Sequence, residues 1–293
     1  MENYQAVFKR KEIKYLLSSE ERNALLPILE AHMEPDAFAH SSISNLYYDT
    51  PDFRMVRRSL EKPMYKEKLR LRSYGTPENT STVFPEIKKK AMGIVYKRRI
   101  SLPYQEAVSF LSGQQIASTD MCDGTTQQIL HELDWMLASY ENLSPRVFLS
   151  YERDSYKGIS DPSLRLTLDQ DILFRTDRLD LREGAFGKAI LLPDQTLMEV
   201  KISNAAPLWL AQALSEIGIF PVSFSKYGRA YERICRDPRW RKEMNGHTEI
   251  DAHTKINGHA EIDAHTKING HAEIDAHTKI NGHAKEMEMK RYA

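Results

Sequence analysis

Between Tyr65 and Tyr74 the chain reads Y-K-E-K-L-R-L-R-S-Y. Side chains alternate faces along a β-strand, so Lys66, Lys68, Arg70 and Arg72 would share one face. Four cations in a row repel one another and gain nothing from an apolar core. Such a face is favourable where something anionic lies along it. The ordinary reading is a solvated edge strand, on which lysines discourage aggregation. For this stretch alone the two readings stand level.

Three further segments carry Glu-x-Lys: Glu12/Lys14, Glu86/Lys88 and Glu199/Lys201. One such pair says little, because opposite charges often neighbour each other on a strand. Three of them, beside the row at 66–72 and beside Arg153 and Arg165, say more. If these strands curl with those faces inward, they enclose a channel lined by cations and a few carboxylates. Buried charge without a partner is strongly unfavourable, so the channel calls for an occupant. A chain of phosphates with a divalent metal satisfies it. Lys and Arg take the phosphoryl oxygens, Arg in bidentate fashion, and glutamates hold Mg²⁺ or Mn²⁺, which prefer oxygen ligands. The competing reading is a sheet whose charged face meets water.

The elements that would position these residues can be read in order. Residues 4–15 alternate as a first strand. Ser18 or Ser19 caps a helix to about Met33, with Leu25, Leu26, Ile28 and Leu29 on one stripe. A strand over 41–48 leads to Thr50-Pro51, which reads as the N-cap and first residue of a short basic helix. Strands follow over 65–74, 82–90 and 94–102, the last two joined through Ala91-Met92-Gly93. Helical patterns cover 104–111 and 126–140, the second broken by Pro145. Strands return at 146–156, 164–169 and 196–202. Helices over 207–217 and 225–235 close the globular part. The sum is an α+β chain of about eight strands, mostly antiparallel given its short connections.

From Asn245 a 12-residue unit, N-G-H-T-E-I-D-A-H-T-K-I, recurs with small changes and carries seven of the ten histidines. Asn-Gly suits a type I′ turn and the unit alternates, so a small repetitive β structure is conceivable. Histidine-rich tracts also bind metal. Each unit has too little apolar mass for a core, and we read it as a duplicated, mostly disordered tail. The expected division is 1–243 for the globular domain and 244–293 for the tail.

A formal net charge of zero hides strong unevenness. From Arg54 to Arg99 fourteen Lys or Arg face four acids, Glu61, Glu67, Glu78 and Glu86, a local net of +10. A bounded positive patch on a neutral protein points to a bounded polyanion. Interleaved glutamates argue against a nucleic-acid backbone, and no nucleic-acid partner is expected. Two cysteines, Cys122 and Cys235, give no disulfide framework and fit a reducing cytosol. No signal core or spanning segment is seen, so the expected location is cytoplasmic. There is no G-x-x-x-x-G-K-[ST] loop, no G-x-G-x-x-G after a strand, no kinase catalytic set and no G-x-S-x-G.

Taken as an ordered set, several motifs resemble the VTC-type polyphosphate polymerases of the triphosphate tunnel metalloenzyme (CYTH-like) superfamily. They are R-K-E-I-K-Y (10–15), L-Y-Y-D-T-P (46–51), K-L-R-L-R-S-Y (68–74), P-E-I-K-K-K (85–90), Y-K-R-R-I (96–100), Y-E-R-D-S-Y (151–156), L-R-L-T-L-D (164–169), L-M-E-V-K-I (197–202) and F-S-K-Y (224–227). The resemblance covers roughly Tyr4 to Arg236. It implies an eight-stranded antiparallel β tunnel, the triphosphate tunnel fold, with flanking helices. It also implies a metal-dependent transferase that moves the γ-phosphoryl of ATP onto inorganic polyphosphate. Carried over by position, the substrate-binding cations are Lys14, Arg70, Arg72, Lys88, Lys97, Arg153, Arg165, Lys201 and Lys226. Arg70, Arg72, Lys201, Lys226 and Glu199 are the catalytic set. Glu199 is the first metal candidate for Mn²⁺ or Mg²⁺, followed by Glu86 and Glu12. The chain shows no sensor domain of the inositol-pyrophosphate type, and product export would require a separate membrane partner. Two alternatives stay open: a triphosphate hydrolase of the same fold, and a non-catalytic polyphosphate-binding module.

Overall fold

Alternation in the sequence is realised as a sheet with one charged and one apolar face. A computed structural model describes residues 11–92, 94–114, 123–203 and 205–238. The repeats from Asn245, residues 4–10 of the expected first strand, and Cys122 lie outside them. Ten strands and six α-helices are described: β1 (Lys11–Leu17), α1 (Ser19–His32), β2 (Met33–Asp49), α2 (Arg54–Leu60), β3 (Tyr65–Tyr74), β4 (Thr82–Ala91), β5 (Ile94–Arg99), β6 (Leu102–Pro103), α3 (Tyr104–Leu111), α4 (Gly124–Ser139), β7 (Ser144–Gly158), β8 (Arg165–Arg175), β9 (Lys188–Ala189), β10 (Thr196–Ile202), α5 (Leu208–Ile217) and α6 (Lys226–Arg236).

The eight long strands run β1-β10-β8-β7-β2-β3-β4-β5, with the two-residue strands β6 and β9 attached to β4 and β8. Every neighbouring pair is antiparallel. In β3 the face opposite the cations carries Glu67, Leu69 and Leu71, all buried. Leu69 and Leu71 join Leu46, Tyr48, Val83, Ile87 and Phe148 in a core closed by α3 and α4. A second core joins Leu17, Leu166, Leu168, Met198 and Val200 to Leu25 and Leu29 of α1 and Leu210 and Leu214 of α5. Helices α1, α3, α4 and α5 therefore take the outside and leave the concave face to the charges. That face curls into a tunnel: the charges of Glu12 on β1 and Lys88 on β4 act on each other, as do those of Lys68 on β3 and Lys14 on β1. Beside β1, Val222 N–H donates to the Lys14 carbonyl at 2.7 Å and Pro221 bridges Tyr15, which leads the chain into α6.

Three local expectations change. β2 starts at Met33, directly after α1, and its register with β7 breaks between Pro35 and His40. Thr50-Pro51 does not open α2; the helix starts at Arg54 behind Phe53, whose φ is 57°. The reason is Asp49, whose carboxylate reaches past the turn to accept from Met55 N–H at 2.9 Å and Val56 N–H at 3.0 Å. Thr50 Oγ1 accepts from Arg54 N–H at 2.9 Å. Nor does Pro145 end α4, which stops at Ser139. Pro145 sits in β7 at a register shift, where a residue lacking an N–H is tolerated.

Candidate active site in the tunnel

One wall is built by β1, β10, β8 and β7 around two buried carboxylates. Glu199 Oε1 accepts from Lys14 Nζ at 2.7 Å and from Lys226 Nζ at 2.9 Å, and Oε2 lies 3.4 Å from Arg153 Nη2. Asp169, with no exposed surface, takes Arg153 in a bidentate grip at 2.6 and 2.7 Å and also pairs with Lys226. Burial alone would raise the Glu199 carboxyl, but Lys226, Lys14 and Arg153 outweigh it and hold it well below the usual range. Burial would lower Lys226, yet Glu199 and Asp169 push it up.

The facing wall comes from β3, β4 and β5 around Glu86. Arg70 Nε donates to Glu86 Oε2 at 2.8 Å, Lys97 Nζ is 3.0 Å from Oε1, and Arg72 Nε is 3.9 Å from Oε2. Burial opposes ionisation of Glu86, but Arg70, Arg72 and Lys97 win and bring it to about 2. Arg72 also donates to Asn45 Oδ1 at 3.0 Å and to Tyr151 Oη at 3.3 Å. Arg70 Nη1 donates to Tyr47 Oη at 3.2 Å. The phenols of Tyr47 and Tyr151 are buried, which would raise them, yet neighbouring cations draw both below the ordinary value. For Tyr47 these are Arg70 and Lys68; for Tyr151 they are Arg72, Arg153 and Lys226.

The remaining cations are less well matched. Lys68 contacts Ser225 Oγ at 3.2 Å, and burial with Lys88, Lys66 and Lys14 lowers it to about 8 although the Tyr47 phenol opposes this. Burial likewise lowers Lys201, with Arg153 and Lys88 adding to it against the pull of Glu12 and Glu199. Lys88 acts on Glu12 from across the tunnel. Arg165 is turned to Asp36, in the irregular stretch of β2.

The structure thus gathers Lys14, Arg153 and Lys226 on Glu199, and Arg70, Arg72 and Lys97 on Glu86. Glu12 stands beside Glu199 through Lys14, whose Nζ is 3.3 Å from Glu12 Oε1. Glu86 belongs to the other wall. Sequence reading gave no site role to Asp169, Asn45, Tyr47 or Tyr151. Their signal was alternation: Asp169 follows Arg165 and Thr167 on one face, Tyr151 precedes Arg153 by two residues, and Asn45 and Tyr47 share the inward face of β2.

Among the described residues no three His, Cys, Asp or Glu side chains form a ready ligand cluster. The donor chemistry near Glu199 still fits a hard cation. Thr167, its cross-strand partner, has a buried Oγ1 without a hydrogen-bond partner, and Asp169 lies one inward position further along β8.

The family model of the VTC domain matches residues 9–235. No curated protein matches the chain. Among solved structures, a proposed adenylate cyclase from Bacillus halodurans is similar at 18% identity and TM-score 0.46, over 75% of this chain and 94% of that one. One from Vibrio parahaemolyticus is similar at 15% identity and TM-score 0.40, over 78% and 99%. A proposed adenylyl cyclase from Hippeastrum, with a dominant triphosphatase activity of its own, is similar at 16% identity and TM-score 0.42, over 74% and 92%. At these TM-scores such likenesses carry no chemistry across. The match to the family model, spanning every strand of the tunnel, does show the family: this chain belongs to the VTC domain family.

Proposed function

We propose that the chain is a polyphosphate polymerase, moving the γ-phosphoryl group of ATP onto the end of an inorganic polyphosphate chain and releasing ADP. The observation that carries this reading is the state of the carboxylates in the tunnel. Glu199, Asp169 and Glu86 are each tied to two or more cations, and Glu199 and Glu86 are held below the usual range. A carboxylate so held is a poor base for taking a proton from water near neutral pH. A terminal phosphate oxygen is already anionic and needs no base, so transfer between phosphates suits this lining better than hydrolysis.

In the proposed reaction, a terminal oxygen of polyphosphate forms a bond to the γ-phosphorus, the bond from that phosphorus to the β–γ bridging oxygen breaks, and ADP carries away the electron pair. Arg70 and Arg72 on one wall, and Arg153, Lys14 and Lys226 on the other, would hold donor and acceptor in line and offset charge on the equatorial oxygens. Glu199, with Thr167 and Asp169, would hold the divalent ion, Mn²⁺ or Mg²⁺, whose charge offsets that of the bridging oxygens when bound.

The test is incubation of the purified chain with ATP and Mn²⁺. Products are resolved on a polyphosphate gel while ADP and free phosphate are measured in parallel. A ladder with matching ADP and little free phosphate is expected. Free phosphate without a ladder would assign a hydrolase. Neither product, with tripolyphosphate still raising Tm, would assign a binding module.

A further inference from the structure

Tyr227, next in sequence to Lys226, has an anchor of its own. Its Oη donates to Asp49 Oδ2 at 2.8 Å, and its ring stacks on Tyr47 with centroids 4.4 Å apart and planes 16° from parallel. Asp49 has no exposed surface and also accepts from the backbone N–H groups of Thr50, Met55 and Val56. One carboxylate therefore fastens β2, the start of α2 and the first turn of α6. One ring fastens the same turn to Tyr47, which in turn holds Arg70 of the opposite wall.

The arrangement matters for Lys226, whose ammonium is shared by Glu199 and Asp169. An entering phosphate competes with both carboxylates for it. If α6 were free to shift, the ammonium would follow its strongest partner and the geometry of the site would change with occupancy. With the adjacent Tyr227 pinned, only the lysine side chain can adjust.

We propose that Asp49 and Tyr227 are positioning residues for the tunnel chemistry. Their hydrogen bond locks the first turn of α6, so that Lys226 Nζ stays between Glu199 and Asp169 and presents its charge to the incoming phosphate. The inference rests on reading the tunnel as a phosphoryl-transfer site. A merely structural Asp49 would cap α2 and nothing more.

The experiment is a double-mutant cycle on the full chain with Tyr227→Phe, Lys226→Met and the double variant. Tyr227→Phe keeps the ring stack and the cap of α2 and removes one donor. The expected result is a Tm within a few degrees of wild type, a kcat about tenfold lower and a KM for ATP changed less than about threefold, since small misplacements cost rate before affinity. In the Lys226→Met background the same substitution should cost nothing further, because residues acting through one group are not additive. An unchanged kcat for Tyr227→Phe, or an equal loss in both backgrounds, overturns the proposal. If wild type turns over neither ATP nor tripolyphosphate, the proposed reaction falls on its own, and the cycle is read in tripolyphosphate affinity by calorimetry. There, coupling between the two positions supports the positioning role and additivity overturns it.

Discussion

Lys226 Nζ meets Glu199 Oε1 at 2.9 Å, on an oxygen that also takes Lys14 Nζ at 2.7 Å. A single carboxylate oxygen thus joins the first and tenth strands to the last helix. Glu199→Gln would leave three cations facing an amide. Turnover should fall at least about a hundredfold, and stability by about 3 kcal/mol as the buried pairs lose their anion. Steady-state assays with ATP and urea melts measure both. Wild-type rates from this variant would rule out Glu199 as the metal-holding residue.

Arg72 is buried and its hydrogen bonds go to neutral groups, Asn45 and Tyr151, while Glu86 stands 3.9 Å away. A phosphate can therefore take its charge without breaking a hydrogen bond to a carboxylate. Arg72→Ala should abolish turnover while the far-UV spectrum keeps its native shape, because Glu86 retains Arg70 and Lys97. Loss of the folded spectrum would make Arg72 a structural residue.

Glu86 falls from an ordinary 4.5 to about 2 in the folded chain. A carboxylate lowered in this way stabilises the fold above its unfolded value and loses that contribution as pH falls through the folded one. The window is therefore pH 4.5 down to about 2, with a contribution on the order of 3 kcal/mol at neutral pH. Glu86→Gln should lower Tm at pH 7 and flatten its dependence across that window. Tripolyphosphate should restore more Tm in the variant than in wild type, since Arg70 and Lys97 are then without their carboxylate.

Lys68 behaves in the opposite sense. Burial and its lysine neighbours, Lys88, Lys66 and Lys14, bring it to about 8, so the folded chain binds this proton less readily than the unfolded one. The cost of charging it is present below that pH and relieved as pH rises towards the unfolded value. Without ligand the protein should gain Tm as pH rises from about 8 towards 10.5, and Lys68→Met should remove part of the gain. A polyanion favours the charged lysine, so tripolyphosphate binding at pH 8.5 should take up protons. Calorimetry in buffers of different ionisation enthalpy reads that uptake, which Lys68→Met should reduce.

Which face each residue takes was legible in the sequence; which partner it takes was not. Alternation placed Lys66, Lys68, Arg70 and Arg72 on one face and Leu69 and Leu71 on the other; Lys68, Arg70 and Arg72 line the tunnel, while Lys66 Nζ donates to the Ser59 carbonyl at 3.1 Å. The three Glu-x-Lys pairs look alike on paper but differ in the fold. Glu12 does reach Lys14. Glu86 instead pairs with Arg70 and Lys97, and Glu199 with Lys14, Lys226 and Arg153. Residues two apart on a strand share a face but stand farther apart than those directly opposite on the next strand, so register decides the pairing. Asp36 on Arg165 and Asp49 on Tyr227 were hidden for the same reason: a β2 irregularity and a helix start set them, and neither has a periodic signal.

Because β1 forms its ladder with β10, the chain acquires its site late. Lys14 and Glu199 lie 185 residues apart, and β1 leaves the ribosome long before its ladder partner exists. Until then its inward charges and its outward Ile13, Tyr15 and Leu17 have no sheet to join, and pairings of such sequence separation form slowly. The nascent β1 is thus a strand in need of shielding from other unfinished chains. A stop codon just before Thr196 would leave not a weakened tunnel but an open sheet, in which Lys14 and Arg153 lack the Glu199 carboxylate they share in the full chain.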